Sequence, residues 1–382
     1  MKKKILALLL AVGMLLSLAA CGTGETEEPA DTSAPEDTSA PADTAAPTGL
    51  DYDAAYAAHA PEDVLFSVDG REVTWSEYFY TLSYVLNMLE YYGGISDWDA
   101  VCEIVGTGQT YREFVTEYTL AMCMQNAVIN NRAEELGVNL TAEEIDAVWQ
   151  ENIAASGYTE EAFLEAIESQ KLTKDVYLYI TNTATLFDRL FVAEFGVNGA
   201  DCTEADVLSY AEEHDYIMAK HILLSNKDDA GEALSEDDVA AKLARAEEIL
   251  AEINASADKA AKFDQLMIAN SEDPGFTYYP AGYIFTYGEM VEEFEETAFG
   301  MEPGEISDIV ESTHGYHIIM RVELDPKATM DINSETGEAV TMQYFVAQKF
   351  FAEKYAAVVK DAAVEETEAY ASMDLNDLFP AG

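Results

Sequence analysis

Imidazole and carboxylate are the side chains best suited to hold or pass a proton near neutral pH, and this 382-residue chain sets three of them in distinctive surroundings. His221 lies in the apolar stretch 216–224 and His317 in 315–322, and both stretches read as β-strands. Asp273 stands in Asn270-Ser271-Glu272-Asp273-Pro274, and Met290 and Phe294 follow at a spacing of i and i+4, an apolar pair on one helix face. Together they could form a polar network beside an apolar surface. Each also has a plainer reading. Two histidines on two strands can be satisfied core residues, Asp273 can be a turn former, and Met290 and Phe294 can simply pack under a sheet. Tyr316, Ile318, Met320 and Val322 share one strand face and His317 the other, with Ile319 and Arg321, which places His317 off the main core. His221 has no such clean alternation. His314-x-x-His317 does not read as a metal pair, because Gly315 intervenes and no third ligand has a matched spacing. Glu292, Glu293, Glu295 and Glu296 read as a solvated helix face, and no paired carboxylates point to hydrolysis.

The elements that must position these residues are legible around them. From Tyr216 the order is strand, helix, helix, loop, strand, short helix, strand, strand, an α+β unit ending near Leu324. Before it, residues 64–73 form a strand pair around Asp69-Gly70. A helix follows with Thr74 and Glu77 as its capping box. Further helices are predicted at 111–136, 141–156, 159–169 and 171–195, stopped by Gly137, Gly157 and Gly196, so that 74–214 is helical. After Pro326 a helical pattern runs from about 339 to 371, its stripe of Tyr344, Phe345, Phe350, Phe351, Tyr355 and Val359 too apolar to stand alone. It is expected to pack back on 74–214.

The charge balance of 20 Lys+Arg against 73 Asp+Glu, near −53, excludes nucleic-acid binding through a basic face. A 49% hydrophobic, 11% aromatic composition excludes global disorder and supports two or more domains. Four cysteines without a Cys-x-x-Cys provide neither a disulfide scaffold nor a zinc site. Lys2, Lys3 and Lys4 precede an apolar run, 5–20, too short to span a bilayer, which reads as a secretory signal. Residues 22–49 hold no Val, Ile, Leu, Met or aromatic residue, with seven acids and no base. Such a segment cannot fold, and as a flexible tether it would span roughly 30 Å.

Two resemblances follow. Leu18-Ala19-Ala20-Cys21 resembles the lipobox of bacterial lipoproteins, which implies lipidation of Cys21 and leaves Cys102, Cys123 and Cys202 able to form at most one internal disulfide. The two histidine strands enclose Asn270-Ser271-Glu272-Asp273-Pro274, Gly288-Glu289-Met290-Val291-Glu292-Glu293-Phe294, Ala298-Phe299 and Pro303-Gly304-Glu305-Ile306-Ser307, and Gly315-Tyr316-His317-Ile318-Ile319 closes the series. That order is similar to a parvulin-type (PpiC/rotamase) peptidyl-prolyl cis/trans isomerase over 216–324. With the lipobox, the helical region and the returning helix, the whole chain resembles the PrsA-like foldase lipoproteins of Gram-positive bacteria, which assist secreted proteins folding outside the membrane.

The resemblance implies an α+β fold. A parvulin-like domain, an antiparallel-rich four-stranded sheet with surrounding helices, is inserted in a mostly helical SurA/PrsA-like chaperone body. The expected divisions are a signal peptide at 1–20, a lipidated cysteine and tether at 21–60, a helical domain at 61–214, the isomerase domain at 215–325 and a returning helix at 326–382. It further implies His221 and His317 as the paired active-site histidines, Asp273 as their acidic partner, Ser312 as a hydroxyl before the last strand, and Met290 and Phe294 as the proline pocket. Where many parvulins have Gly-Gly-Asp-Leu-Gly, this chain has Ala281-Gly282-Tyr283-Ile284-Phe285, and Ile284 is the expected pocket wall. The loop after His221 is acidic at Asp228, Asp229, Glu236, Asp237 and Asp238, which would repel a phosphorylated substrate. No metal or other cofactor is implied. The partners implied are unfolded or partly folded secreted polypeptides with X-Pro bonds and, through the lipid anchor, the outer face of the cell membrane. A homodimer is admitted. A non-catalytic holdase with a degenerate parvulin domain is the alternative.

Overall fold

A computed structural model describes residues 50–379, apart from 92–94, 96, 229 and 335. The expected signal segment, Cys21 and most of the tether therefore lie outside the described residues. The chain divides into two compact units, one holding residues up to Glu194 and from Phe351 on, the other Phe195–Phe350. Among the described residues no helix is long and apolar enough to cross a membrane.

The first unit opens with α1 (Tyr52–Tyr56) and the hairpin of β1 (Val64–Val68) and β2 (Arg71–Thr74). Asp69 and Gly70 both take positive φ at its turn, as a tight antiparallel hairpin demands. α2 (Trp75–Tyr91), α3 (Tyr111–Leu136), α4 (Ala142–Ser156), α5 (Glu160–Ser169) and α6 (Lys174–Phe195) follow. Thr110 with Glu113 and Thr141 with Glu144 form capping boxes, and Gly137 and Gly157 end α3 and α4 in the left-handed conformation. The expected Thr74–Glu77 box is not formed. Thr74 belongs to β2, and Glu77 turns inward, where burial pushes its carboxyl up to about 8 against the opposing pull of Arg71. The helix needs no side-chain cap there because the Trp75 and Ser76 N–H groups donate to the Asp63 and Pro61 carbonyls. Between α2 and α3 the chain is not helical throughout, since Glu103–Val105 is a single 3-10 turn and Val101 bridges Thr110. Cys102, Cys123 and Cys202 are free and buried.

The second unit contains α7 (Glu204–Glu213), then β3 (Ile217–Ser225), α8 (Glu236–Ala255), α9 (Lys259–Asn270), β4 (Tyr283–Phe285), α10 (Glu292–Phe299), β5 (Ile306–Ser312) and β6 (Gly315–Val322), in the predicted order. The strands form one antiparallel sheet in the order β4-β3-β6-β5. Alternation divides its faces. Ile222, Leu224, Tyr316, Ile318 and Met320 pack with Ile249 and Ile253 of α8 and Phe263 and Leu266 of α9. Ile217, Ala219 and Ile319 face the other way, onto Phe285 and onto Phe294 and Ala298 of α10. Each large apolar side chain so buried stabilises the sheet by about 1.5–3 kcal/mol, which fixes its register against a one-residue slip. β7 (Thr329–Ile332) and β8 (Ala339–Thr341) then pair as a small hairpin.

The long C-terminal helix is shorter than its pattern suggests. α11 (Met342–Asp361) stops where β9 (Val364–Glu366) begins, and α12 (Glu368–Ala371) and α13 (Leu375–Leu378) are short. β9 gains more as a strand, because it pairs with β1 and completes the sheet β2-β1-β9. Within the first unit Phe351 and Tyr355 meet Phe187 of α6 at ring-centroid distances of 4.7 and 5.8 Å. In the second, Phe345 and Phe350 lie edge-on to Tyr210 of α7.

Gly315 opens β6 at φ +131°, and a Cβ there would collide with the Leu224 carbonyl. Gly315→Ala is therefore expected to destabilise the second unit by at least about 1 kcal/mol, read as a lower urea midpoint for the chain.

Candidate active site

The register of β3 and β6 decides where the histidines meet. His221 lies opposite Ile319 and Leu223 opposite His317, so the two imidazoles are diagonal neighbours on the α10 side of the sheet. Their Nδ1 atoms are 3.0 Å apart and their rings 17° from parallel. Phe294 closes over both, edge-on, with centroids 5.2 Å from His221 and 5.6 Å from His317. At 3% exposure His317 is buried beneath Phe294.

Asp273 reaches His221 from the loop after α9. Hydrogen bonds tie that loop to β3, among them the Glu272 N–H to the Leu223 carbonyl, the Leu223 N–H to Ser271 Oγ and the Ser225 N–H to Glu272 Oε2. Asp273 both caps a turn and faces His221. Its Oδ1 accepts the Gly275 N–H and caps the turn Pro274–Thr277, while its Oδ2 lies 3.0 Å from His221 Nε2. Oδ2 also accepts the Tyr283 hydroxyl at 2.7 Å. At the other end, Ser312 Oγ lies 2.7 Å from His317 Nε2 and accepts the His314 N–H. The tight β5–β6 hairpin makes this contact, since Ser312 pairs with Gly315, two residues before His317.

The result is one continuous hydrogen-bonded series, Tyr283–Asp273–His221–His317–Ser312. Its proton order follows from the end that can only accept. Asp273 faces donors alone, which hold its carboxyl below the usual carboxylate range even though burial opposes them. A neutral His221 then donates from Nε2 to Asp273 and leaves Nδ1 as an acceptor. His317 must donate from Nδ1 and accept at Nε2 from the Ser312 hydroxyl. Burial, with His221 and His314 beside it, pushes the His317 imidazole down to about 3, so it is neutral at physiological pH. Protonating His221 would reverse His317 and leave the Ser312 proton without one of these partners.

Other predicted residues fall differently. Met290 precedes α10, so it and Phe294 do not share one helix face, yet both pack in the same cluster. Ile284 is not a pocket wall. It pairs with Met218, which sets it on the sheet face opposite Tyr283 and Phe285. The two-residue period of 283–285 already carried this information, and Tyr283, the residue the sequence reading left without a role, takes the place on the site side. Glu295 does more than cover a solvated face, because its Oε2 accepts the Gly288 N–H at 2.7 Å and steadies the loop that carries Met290.

Residues 221–323 match the family model described as "PPIC-type PPIASE domain", Rotamase. Residues 221–323 thus form a parvulin-type rotamase domain, and the chain is similar to PrsA foldases beyond it. Among curated relatives, foldase protein PrsA of Halalkalibacterium halodurans is 31% identical over 59% of this chain and 65% of its own length. That of Caldanaerobacter subterraneus is 25% identical over 80% of this chain and 87% of its own. The matched stretch thus spans just under two thirds of the first PrsA protein. The PrsA crystal structure from Bacillus subtilis is 19% identical, covers 85% of this chain and 100% of that one, and has a TM-score of 0.26. In the parvulin segment the matched residues begin at His221 and include Asp273, Ser312 and His317.

A buried imidazole held neutral makes a prediction for stability. The unfolded chain binds a proton at His317 near pH 6.5 and the folded chain only near 3, so stability is full above 6.5 and falls as pH drops toward 3. Between pH 6.5 and 4.5 the parent is expected to lose stability relative to His317→Gln, measured as converging urea midpoints.

Proposed function

We propose that this chain is an extracytoplasmic foldase, anchored through a lipid on Cys21, that isomerises X-Pro bonds in secreted polypeptides. The observation that carries the reading is the ordered Asp273–His221–His317–Ser312 series beside Met290 and Phe294, inside the rotamase-matched segment. The partners of this activity would be unfolded or partly folded secreted polypeptides with X-Pro bonds, not nucleic acid.

The chemistry breaks no covalent bond. Resonance holds the peptide C–N bond against rotation by about 18–20 kcal/mol, and the planar amide is the charge-separated form, negative on oxygen. A proline ring on the apolar surface of Met290 and Phe294 brings its amide out of water, which otherwise favours that planar form. The Asp273 carboxylate, held ionised at one end of the series, makes further negative charge on a nearby carbonyl oxygen unfavourable. The twisted amide places less charge there and is relatively stabilised. A ten-thousand-fold acceleration requires about 5.4 kcal/mol, within reach of such differential binding.

A second reading, a holdase with little turnover, is favoured by the turn of Ile284 away from the pocket. One experiment separates the two. In a short unphosphorylated peptide, uncatalysed exchange takes tens to hundreds of seconds. The chain is expected to accelerate it by NMR exchange spectroscopy, and His317→Ala and Asp273→Ala are each expected to lose most of that acceleration. No acceleration by the parent would leave the holdase.

A further inference from the structure

The Tyr283 side chain is bound into the site by more than its hydroxyl. Its ring stands edge-on to His221 at 5.7 Å and leans on Tyr279 at 4.8 Å, and it packs against the cluster of Phe285 and Phe294. A second observation comes from the loop opposite. A Cβ built on Gly275 would collide with the Tyr283 hydroxyl, and Asp273 Oδ1 lies within 3.4 Å of the same point. The loop leaves room for a hydroxyl at that one place, against Asp273, by having no side chain there.

We propose that Tyr283 is a positioning residue of this site: its hydroxyl holds the Asp273 carboxylate in the orientation that takes the proton of His221 Nε2. The inference rests on the isomerase reading for its kinetic consequence and on geometry alone for its structural one. Without the hydroxyl, Asp273 Oδ2 keeps a single donor, His221, and can rotate about its remaining cap from the Gly275 N–H. The titratable groups facing Asp273 are His221 on β3 and Tyr283 on β4, with His317 on β6 one link further. Glu272 is turned away, onto Lys242 and the Ser225 N–H. Tyr283 itself stays protonated, because burial and the carboxylate both push its phenol up.

The test uses the full chain with Tyr283→Phe, Gly275→Ala and the double variant. The Asp273 carboxyl is titrated by carbon NMR, and kcat/KM for prolyl exchange is followed from pH 3 to 8. Tyr283→Phe removes one donor to the carboxylate, so the Asp273 midpoint is expected to rise by about one pH unit, tenfold in proton affinity. The acid limb of kcat/KM moves up with it. Gly275→Ala, which displaces the hydroxyl and leaves the ring, is expected to produce a shift in the same direction. The double variant is expected to add little, as for two changes that break one contact. An unchanged Asp273 midpoint in a folded Tyr283→Phe chain overturns the proposal, as does a change confined to KM. Failure of the isomerase reading has a different sign, a parent chain without exchange activity, and the Asp273 titration then decides the role of Tyr283 by itself.

Discussion

The contact between the two Nδ1 atoms of His221 and His317 is the constraint on which the site depends. Nitrogens 3.0 Å apart can share only one proton, so the state of each ring is set by the other. A slip of one residue between β3 and β6 would send one imidazole to the opposite face, onto the α8 and α9 core. That slip is opposed by Ile222, Ile318 and Met320 on one side and Ala219 and Ile319 on the other, all buried. The apolar core of the sheet therefore sets the geometry of the polar network beside it.

Each end of the network is fixed by local chain geometry. Asp273 is held by the turn it caps and by a loop sewn to β3, and Ser312 by a two-residue hairpin that needs Gly315 at positive φ. Buried polar groups that all find partners rigidify a site, whereas an unmatched one would cost about 1–3 kcal/mol. Carboxylate at one end and hydroxyl at the other give the series a direction. Phe294 excludes water from both imidazoles, and this desolvation is what keeps His317 neutral.

Much of this was legible in the sequence, and the losses have physical causes. The strand and helix order of 216–324 follows from apolar periodicity, and Tyr316, Ile318 and Met320 do share the core face. His317 lies off the α8–α9 core, as strand alternation indicates, and its burial comes from α10 covering the second face, which a single strand pattern cannot show. Ile284 stands where the resemblance expects a pocket wall, but its position along a three-residue strand turns it to the opposite face. Tyr283 and Gly275 are eight residues apart in sequence and form one contact, a coupling that appears only when the loop has closed. Glu77 and the segment 364–366 depart from their sequence patterns for a similar reason: propensity favours a cap and a helix, and burial and pairing with β1 prevail.

The central claim is a single proton order along Asp273, His221, His317 and Ser312. It is tested most directly by long-range proton–nitrogen NMR correlation of the two imidazoles near pH 7. The account predicts a neutral His317 with its proton on Nδ1 and a bare Nε2, with His221 protonated at Nε2. An imidazolium pattern at His317, or two rings averaging freely between tautomers, would contradict it.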